Sequence, residues 1–200
     1  MGWKNFSRKQ LISSGLFFDI YNINAAIEGL KRLRKIFDNY GIPFFLDCGT
    51  LLGCIRDGRL INIDVDVDIG VLGEHWNQDV AKEFKAGRWE SSGTQFCKKQ
   101  NLTDLYFGGE ERAVYFGCAY TVRSSHIPID VYIHQKGEGE FSEKRINLLT
   151  GRRYNVEYFE SFVDKKLHNV NFSVPILYEE YLDEIYVGRK NWTIPLLDTK

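Results

Sequence analysis

Four aspartates carry the chemistry that is easiest to read in this chain. Asp64, Asp66 and Asp68 alternate with Ile63, Val65, Val67 and Ile69, and Asp130 stands between Ile129 and Val131 in a second alternating stretch. Side chains two apart on a β-strand point the same way, with backbones roughly 6 to 7 Å apart given a rise of ~3.3 Å per residue. Their carboxylates can therefore converge. Without a cation such a row is self-repelling, and each member raises the pKa of the next. A hard divalent ion with oxygen ligands relieves that repulsion, Mg²⁺ first and Mn²⁺ as the alternative. Asp66, Asp68 and Asp130 are thus the expected metal ligands and catalytic carboxylates. Two metals held about 4 Å apart polarise an attacked phosphorus, orient a hydroxyl and neutralise the leaving oxygen. An Asp-x-Asp pattern alone also fits an exposed strand face or a calcium loop.

These side chains need elements to position them. Apolar residues at 23, 27, 30, 33 and 37 predict a helix over 23–37, with Asn22 or Asn24 as cap and Gly41 as stop. Its Lys31, Arg32, Arg34 and Lys35 read as a solvated face. Residues 44–46, Phe-Phe-Leu, predict a buried strand that delivers the turn at Gly49. Thr50 is the expected cap of a short helix over 50–56, and Asp57-Gly58 turns the chain back. Residues 61–71 predict the aspartate strand. A glycine turn at a helix start opposite carboxylates is a natural phosphate seat, so Gly49, Thr50, Arg56 and Asp64 are the expected substrate-binding residues.

Further along, a helix is expected over 76–84, closed by Gly87, and strands near 94–97, 113–122 and 127–133. Pro175 is expected to open a helix running to Tyr186, with Gly188 as its stop. The whole reads as one α+β domain over 1–200, a mixed sheet flanked by helices, with helical segments at both ends.

Composition excludes several classes. A net charge of -1 lacks the attraction that long nucleic acid or an anionic membrane requires. Cys48, Cys54, Cys97 and Cys118 lack the close pairing of a zinc site, so reduced, buried thiols are expected. The run 11–20 is interrupted by Ser13, Ser14 and Asp19, too polar for a membrane span or signal peptide. A cytoplasmic location is the expectation. His75, His126, His134 and His168 have no metal-ligand spacing, although His134 can share a face with Asp130. Tyr154, Tyr158, Phe159 and Phe162 read as core packing before an acceptor platform.

At these positions the chain resembles the LicD/fukutin family of phosphotransferases, a branch of the nucleotidyltransferase fold superfamily. Residues 46–56, Leu-Asp-Cys-Gly-Thr-Leu-Leu-Gly-Cys-Ile-Arg, are similar to its GTLLG block, and 61–68 to its I-P-W-D-D-D-I-D block. The stretch from Ile129 resembles its later I-D-[IV]-aromatic strand, and 174–188 its proline-led terminal helix. The resemblance implies a nucleotidyltransferase fold with Asp66 and Asp68 on Mg²⁺. It also implies Asp130 as third ligand and base, and Gly49 and Thr50 at the donor phosphate. The implied reaction moves a phospho-alcohol from a CDP-linked donor to a glycan hydroxyl. Asn62-Ile63 replaces the family's Pro-Trp, and Val65 replaces its middle aspartate on the opposite strand face. Competing readings are nucleotidyl transfer from an NTP, a metal-dependent glycosyltransferase, and an inactive binding module of the same fold.

Overall fold

The computed structural model describes residues 20–61, 64, 66–77, 79–80, 90–91, 119–124, 127–148, 150–188 and 191–194. Helix α1 (Ile20–Asn39) comes first. Ala26, Leu30, Leu33 and Phe37 are fully buried, which is one face at helical spacing. The helix begins earlier than expected, so Asn22 and Asn24 lie inside it rather than capping it. It ends as anticipated at Gly41, where the Ile42 N–H returns to the Phe37 carbonyl at 2.9 Å.

Strand β1 (Phe44–Leu46) is wholly buried, and helix α2 (Cys48–Asp57) follows at once. Its cap is Asp47, not Thr50: the Asp47 carboxylate accepts from the Cys48 N–H at 2.7 Å. Thr50 falls within the first turn, and its hydroxyl serves a strand instead. Gly58 closes the helix with φ 64°, a left-handed conformation that suits glycine.

Strand β2 (Val67–Leu72) is shorter than the expected 61–71. The reason is local, since the Asp64 N–H bonds back to the Ile61 carbonyl at 3.0 Å and turns the chain before the ladder begins. Asn62, Ile63 and Val65 lie outside the described residues, as do most of the expected helix 76–84 and all of the strand 94–97.

Next come β3 (Glu90–Ser91), β4 (Ala119–Ser124), β5 (Ile127–Lys136), β6 (Lys144–Asn147) and β7 (Arg153–Asn155). Among the described residues seven strands form one sheet in the order β1-β2-β5-β4-β3, with β6 joining β5 and β7 joining β6. Strands β2 and β5 run parallel while the other pairs are antiparallel, so the sheet is mixed. A hairpin of β8 (Phe162–Leu167) and β9 (Val170–Pro175) forms a second sheet, turned by His168 and Asn169, both at positive φ. Pro175 therefore ends a strand, and helix α3 (Tyr178–Ile185) starts three residues later. The fold is α+β, a mixed sheet flanked by helices.

The two faces of the central strands differ. Phe44, Leu46, Val67, Ile69, Val71, Ile129 and Val131 belong to a single apolar core with the buried face of α1. The alternate positions, Phe45, Asp68, Gly70, Asp130, Tyr132 and His134, line the other face. Gly70 is required there, because a Cβ would lie 2.2 Å from the Phe45 ring.

Candidate active site

Asp68 is the most constrained residue on the polar face. Its N–H donates to the Thr50 hydroxyl at 2.8 Å, and its carbonyl accepts from the Asp47 N–H at 3.1 Å. The Gly49 N–H donates to its Oδ2 at 3.0 Å, and the Tyr132 hydroxyl to its Oδ1 at 3.2 Å. Both carboxylate oxygens are thus oriented, and each keeps acceptor capacity for a further partner.

Asp64 and Asp66 lie on the approach to β2 rather than in it, yet they reach the same point. One carboxylate oxygen from each of Asp64, Asp66 and Asp68 lies within 4.8 Å of the others. Burial, followed by the Asp64 charge beside it, lifts the Asp66 carboxyl to about 7. Burial lifts Asp68 well above the usual carboxylate range, with Asp66, Asp64, Asp47 and Asp130 adding to the effect. The cluster is an electrostatic deficit that an oxygen-liganded divalent ion fits. Gly49 is shaped to it, because a Cβ there would stand 2.4 Å from Asp64 Oδ2 and 3.3 Å from Asp68 Oδ2.

Asp130 sits directly opposite Asp68 in the parallel register, on the same face and half-buried. The structure accordingly brings Asp64, Asp66 and Asp68 into one cluster, with Asp130 beside it on the next strand. Gly49 and Thr50, expected at a donor phosphate, use their N–H and hydroxyl to hold Asp68. Arg56 is placed elsewhere: it lies at the C-terminal end of α2, roughly 10 Å of helix rise from Gly49. Its guanidinium binds Asp57 at 3.0 and 2.6 Å. The expected phosphate clamp is neutralised by its own neighbour.

A second arrangement escaped the sequence reading. Asp47 and His134, both fully buried, meet at 2.7 Å through Oδ2 and Nε2. The Tyr181 hydroxyl donates to Asp47 Oδ1 at 2.8 Å, beside the Cys48 N–H. Burial alone would raise Asp47, but the pull of His134 and these hydrogen bonds outweigh it, so its carboxyl is held below the ordinary value. Phe45, Tyr154 and Phe159 surround the imidazole at 5.6, 6.0 and 5.0 Å between ring centroids. Tyr154 and Phe159 are core residues as expected, whereas Phe162 is exposed. The available signals were the acid directly before the helix and the i, i+2, i+4 spacing of Asp130, Tyr132 and His134.

Of the two thiols described, Cys54 is buried as expected, whereas Cys48 is only half-buried. Cys48 and Cys54 are free, and burial pushes Cys54 up to about 11 and Cys48 well above a thiol's usual value. His168 accepts from the Leu60 N–H at 3.0 Å, and His75 is exposed. No helix among the described residues is long and apolar enough to cross a membrane.

Comparison with known proteins places this geometry in a lineage. The proteins named ribitol-5-phosphate transferase FKTN from Homo sapiens and Macaca fascicularis are each 24% identical over 178 residues. The Mus musculus protein of that name is 23% identical over 177. These alignments cover 86% of this chain but 34% of each relative, so the chain spans about a third of their length. The family profile described as LicD/FKTN/FKRP, nucleotidyltransferase domain, matches residues 41–175, from the turn before β1 to the end of β9 and across every aspartate of the site. With that stretch accounting for most of its length, the chain belongs to the LicD/FKTN/FKRP nucleotidyltransferase-domain family.

Proposed function

We infer that this chain is a metal-dependent phosphotransferase of nucleotidyltransferase fold, moving a phosphate-linked alcohol from a CDP-linked donor to a hydroxyl of a glycan. The observation that carries the reading is the convergence of Asp64, Asp66 and Asp68 within 4.8 Å beside a glycine that a side chain would displace. The relatives named as ribitol-5-phosphate transferases support a polyol phosphate as the transferred group.

Asp66 and Asp68, with Asp64, are the residues that hold Mg²⁺ in this reading. Such an ion supplies charge neutralisation at phosphoryl oxygens when bound. The protein's own part is positioning. Gly49, Thr50 and Tyr132 fix Asp68 by hydrogen bonds, so its carboxylate needs no reorganisation when a ligand arrives. Asp130, one strand over, is the group placed to accept the proton of an acceptor hydroxyl. Burial and the charges of Asp68, Cys48, Asp130 and Asp47 keep Tyr132 far above a phenol's ordinary pKa, so it stays a donor to Asp68.

The test is product analysis with the full chain and Mg²⁺, offering CDP-ribitol, CDP-glycerol and CDP-choline, each together with a mixture of soluble glycans as hydroxyl acceptors. Metal-dependent CMP release from one of them is expected. Pyrophosphate release from CTP or ATP without CMP formation from any CDP-alcohol would replace this reading with nucleotidyl transfer.

A further inference from the structure

A phosphate entering a cluster of carboxylates is helped by a cationic side chain, and the guanidinium groups near the sheet and α2 among the described residues divide by what already holds them. Arg56 is bound to Asp57, and the buried Arg145 is bound to Glu74 at 2.8 and 2.5 Å. Arg34 lies over the Phe172 ring at 4.5 Å and donates to the Asn171 carbonyl at 2.7 Å. Arg153 lies over Phe141 at 5.1 Å. Arg59 follows the cap of α2 at Gly58, and its charge acts on His168. Arg152 differs from all of these. It is exposed, its guanidinium donates to the Ile185 carbonyl at 3.5 Å, and among the described residues no carboxylate pairs with it.

Its backbone is fixed by the turn between β6 and β7. The Asn147 N–H donates to the Arg152 carbonyl at 2.9 Å, and the Arg152 N–H donates to the Thr150 hydroxyl at 3.2 Å. Tyr154, two residues on, meets the Tyr181 ring edge-on at 5.0 Å. Tyr181 in turn binds Asp47, the cap of α2, whose Gly49 N–H holds Asp68. The turn is thus linked through Tyr154 and Tyr181 to Asp47, the cap of α2. Arg152 also donates a hydrogen bond to the Tyr154 phenol, and its positive charge reaches the Cys48 thiol, the first residue of α2.

The first two amides of α2 are unavailable to an anion, because Cys48 N–H serves Asp47 and Gly49 N–H serves Asp68. A guanidinium offers several donors in a planar fork suited to phosphate oxygens. We propose that Arg152, and not Arg56, is the side chain that binds the phosphate groups of a pyrophosphate-type donor at the N-terminal end of α2. The identity of that anion rests on the phosphotransfer reading.

Calorimetric titration of inorganic pyrophosphate into the full chain, with and without Mg²⁺, tests the assignment. Arg152→Gln is expected to weaken pyrophosphate binding tenfold or more. Arg152→Lys should recover part of the loss, and Arg153→Gln, which removes the same charge one residue away, should bind as the unaltered chain does. Melting temperatures of the variants separate a lost contact to Ile185 from a lost ligand contact, since the former alone leaves the affinity unchanged. Unaltered affinity in Arg152→Gln, an equal loss in Arg56→Gln, or no pyrophosphate binding by the unaltered chain in either condition would overturn the proposal. Intact Arg152-dependent binding without CMP release from any CDP-alcohol would sink the phosphotransfer reading and leave the anion site standing.

Discussion

Two groups of carboxylates flank the start of α2, and they answer burial in opposite ways. Asp47 is fully buried, yet His134, Tyr181 and the Cys48 N–H complete its partners, and its pKa falls. Asp64, Asp66 and Asp68 face mostly one another, and the pKa values of Asp66 and Asp68 rise. Similar chemistry a few ångströms apart therefore serves two purposes. A carboxylate whose acceptors are filled by the protein is structural, while a cluster of carboxylates held above the ordinary pKa suits the cation-binding role proposed above.

The contrast is broken most directly by Asp68→Asn. Turnover should fall at least about a thousandfold, as when a group stabilising the transition state is removed, while the metal-free protein melts no lower than before. Steady-state CMP release beside a melting curve checks both halves. The counterpart, Asp47→Asn, should reverse the pattern by costing about 3 to 5 kcal/mol of stability, as removing one partner of a buried pair does. Urea unfolding measures that cost.

The two groups should also carry opposite signs in pH. Asp66 has a folded pKa of about 7, above the 3.8 of an ordinary aspartate, so its contribution to stability is present below about pH 4 and is lost as pH rises towards 7. Asp47 is depressed, so its contribution is present above that ordinary value and is lost as pH falls through the folded one. The melting temperature of metal-free protein should accordingly decline from about pH 4 to 7, and Mg²⁺ should restore it at the upper end. A flat profile there would erase the distinction.

Gly49→Ala gives the smallest and most local change. The added methyl displaces Asp64, and Mg²⁺ affinity should drop about tenfold, ~1.4 kcal/mol, with the Asp47 network intact. Calorimetry with the metal alone reads it.

Much of this contrast was legible in the residues, and the illegible part has definable causes. Period-two spacing identified the aspartates, and the run 44–46 together with Gly41 marked β1 and the end of α1 correctly. The start of β2 was placed too early, because alternation continues in the letters through 61–66 while the Asp64 N–H turns the backbone. Pro175 ends β9 rather than starting α3, since a proline is tolerated equally at a strand end and a helix start. The Asp47–His134 pair depends on residues far apart in the chain, meeting only once β5 has joined the sheet beside β2. Arg56 differs for a local reason: its type suits phosphate, but it stands at the far end of the helix from Gly49 and pairs with its neighbour Asp57.

The parallel pairing of β2 with β5 has a consequence for how the protein comes into being. An N-terminal piece ending at Leu72 would already contain Asp64, Asp66 and Asp68, but Asp130, Tyr132 and His134 arrive only with a strand synthesised much later. Contacts of such long sequence separation close slowly and late. Competence should therefore appear only once β5 has been made and has docked beside β2, so that products truncated before Ile127 are inert.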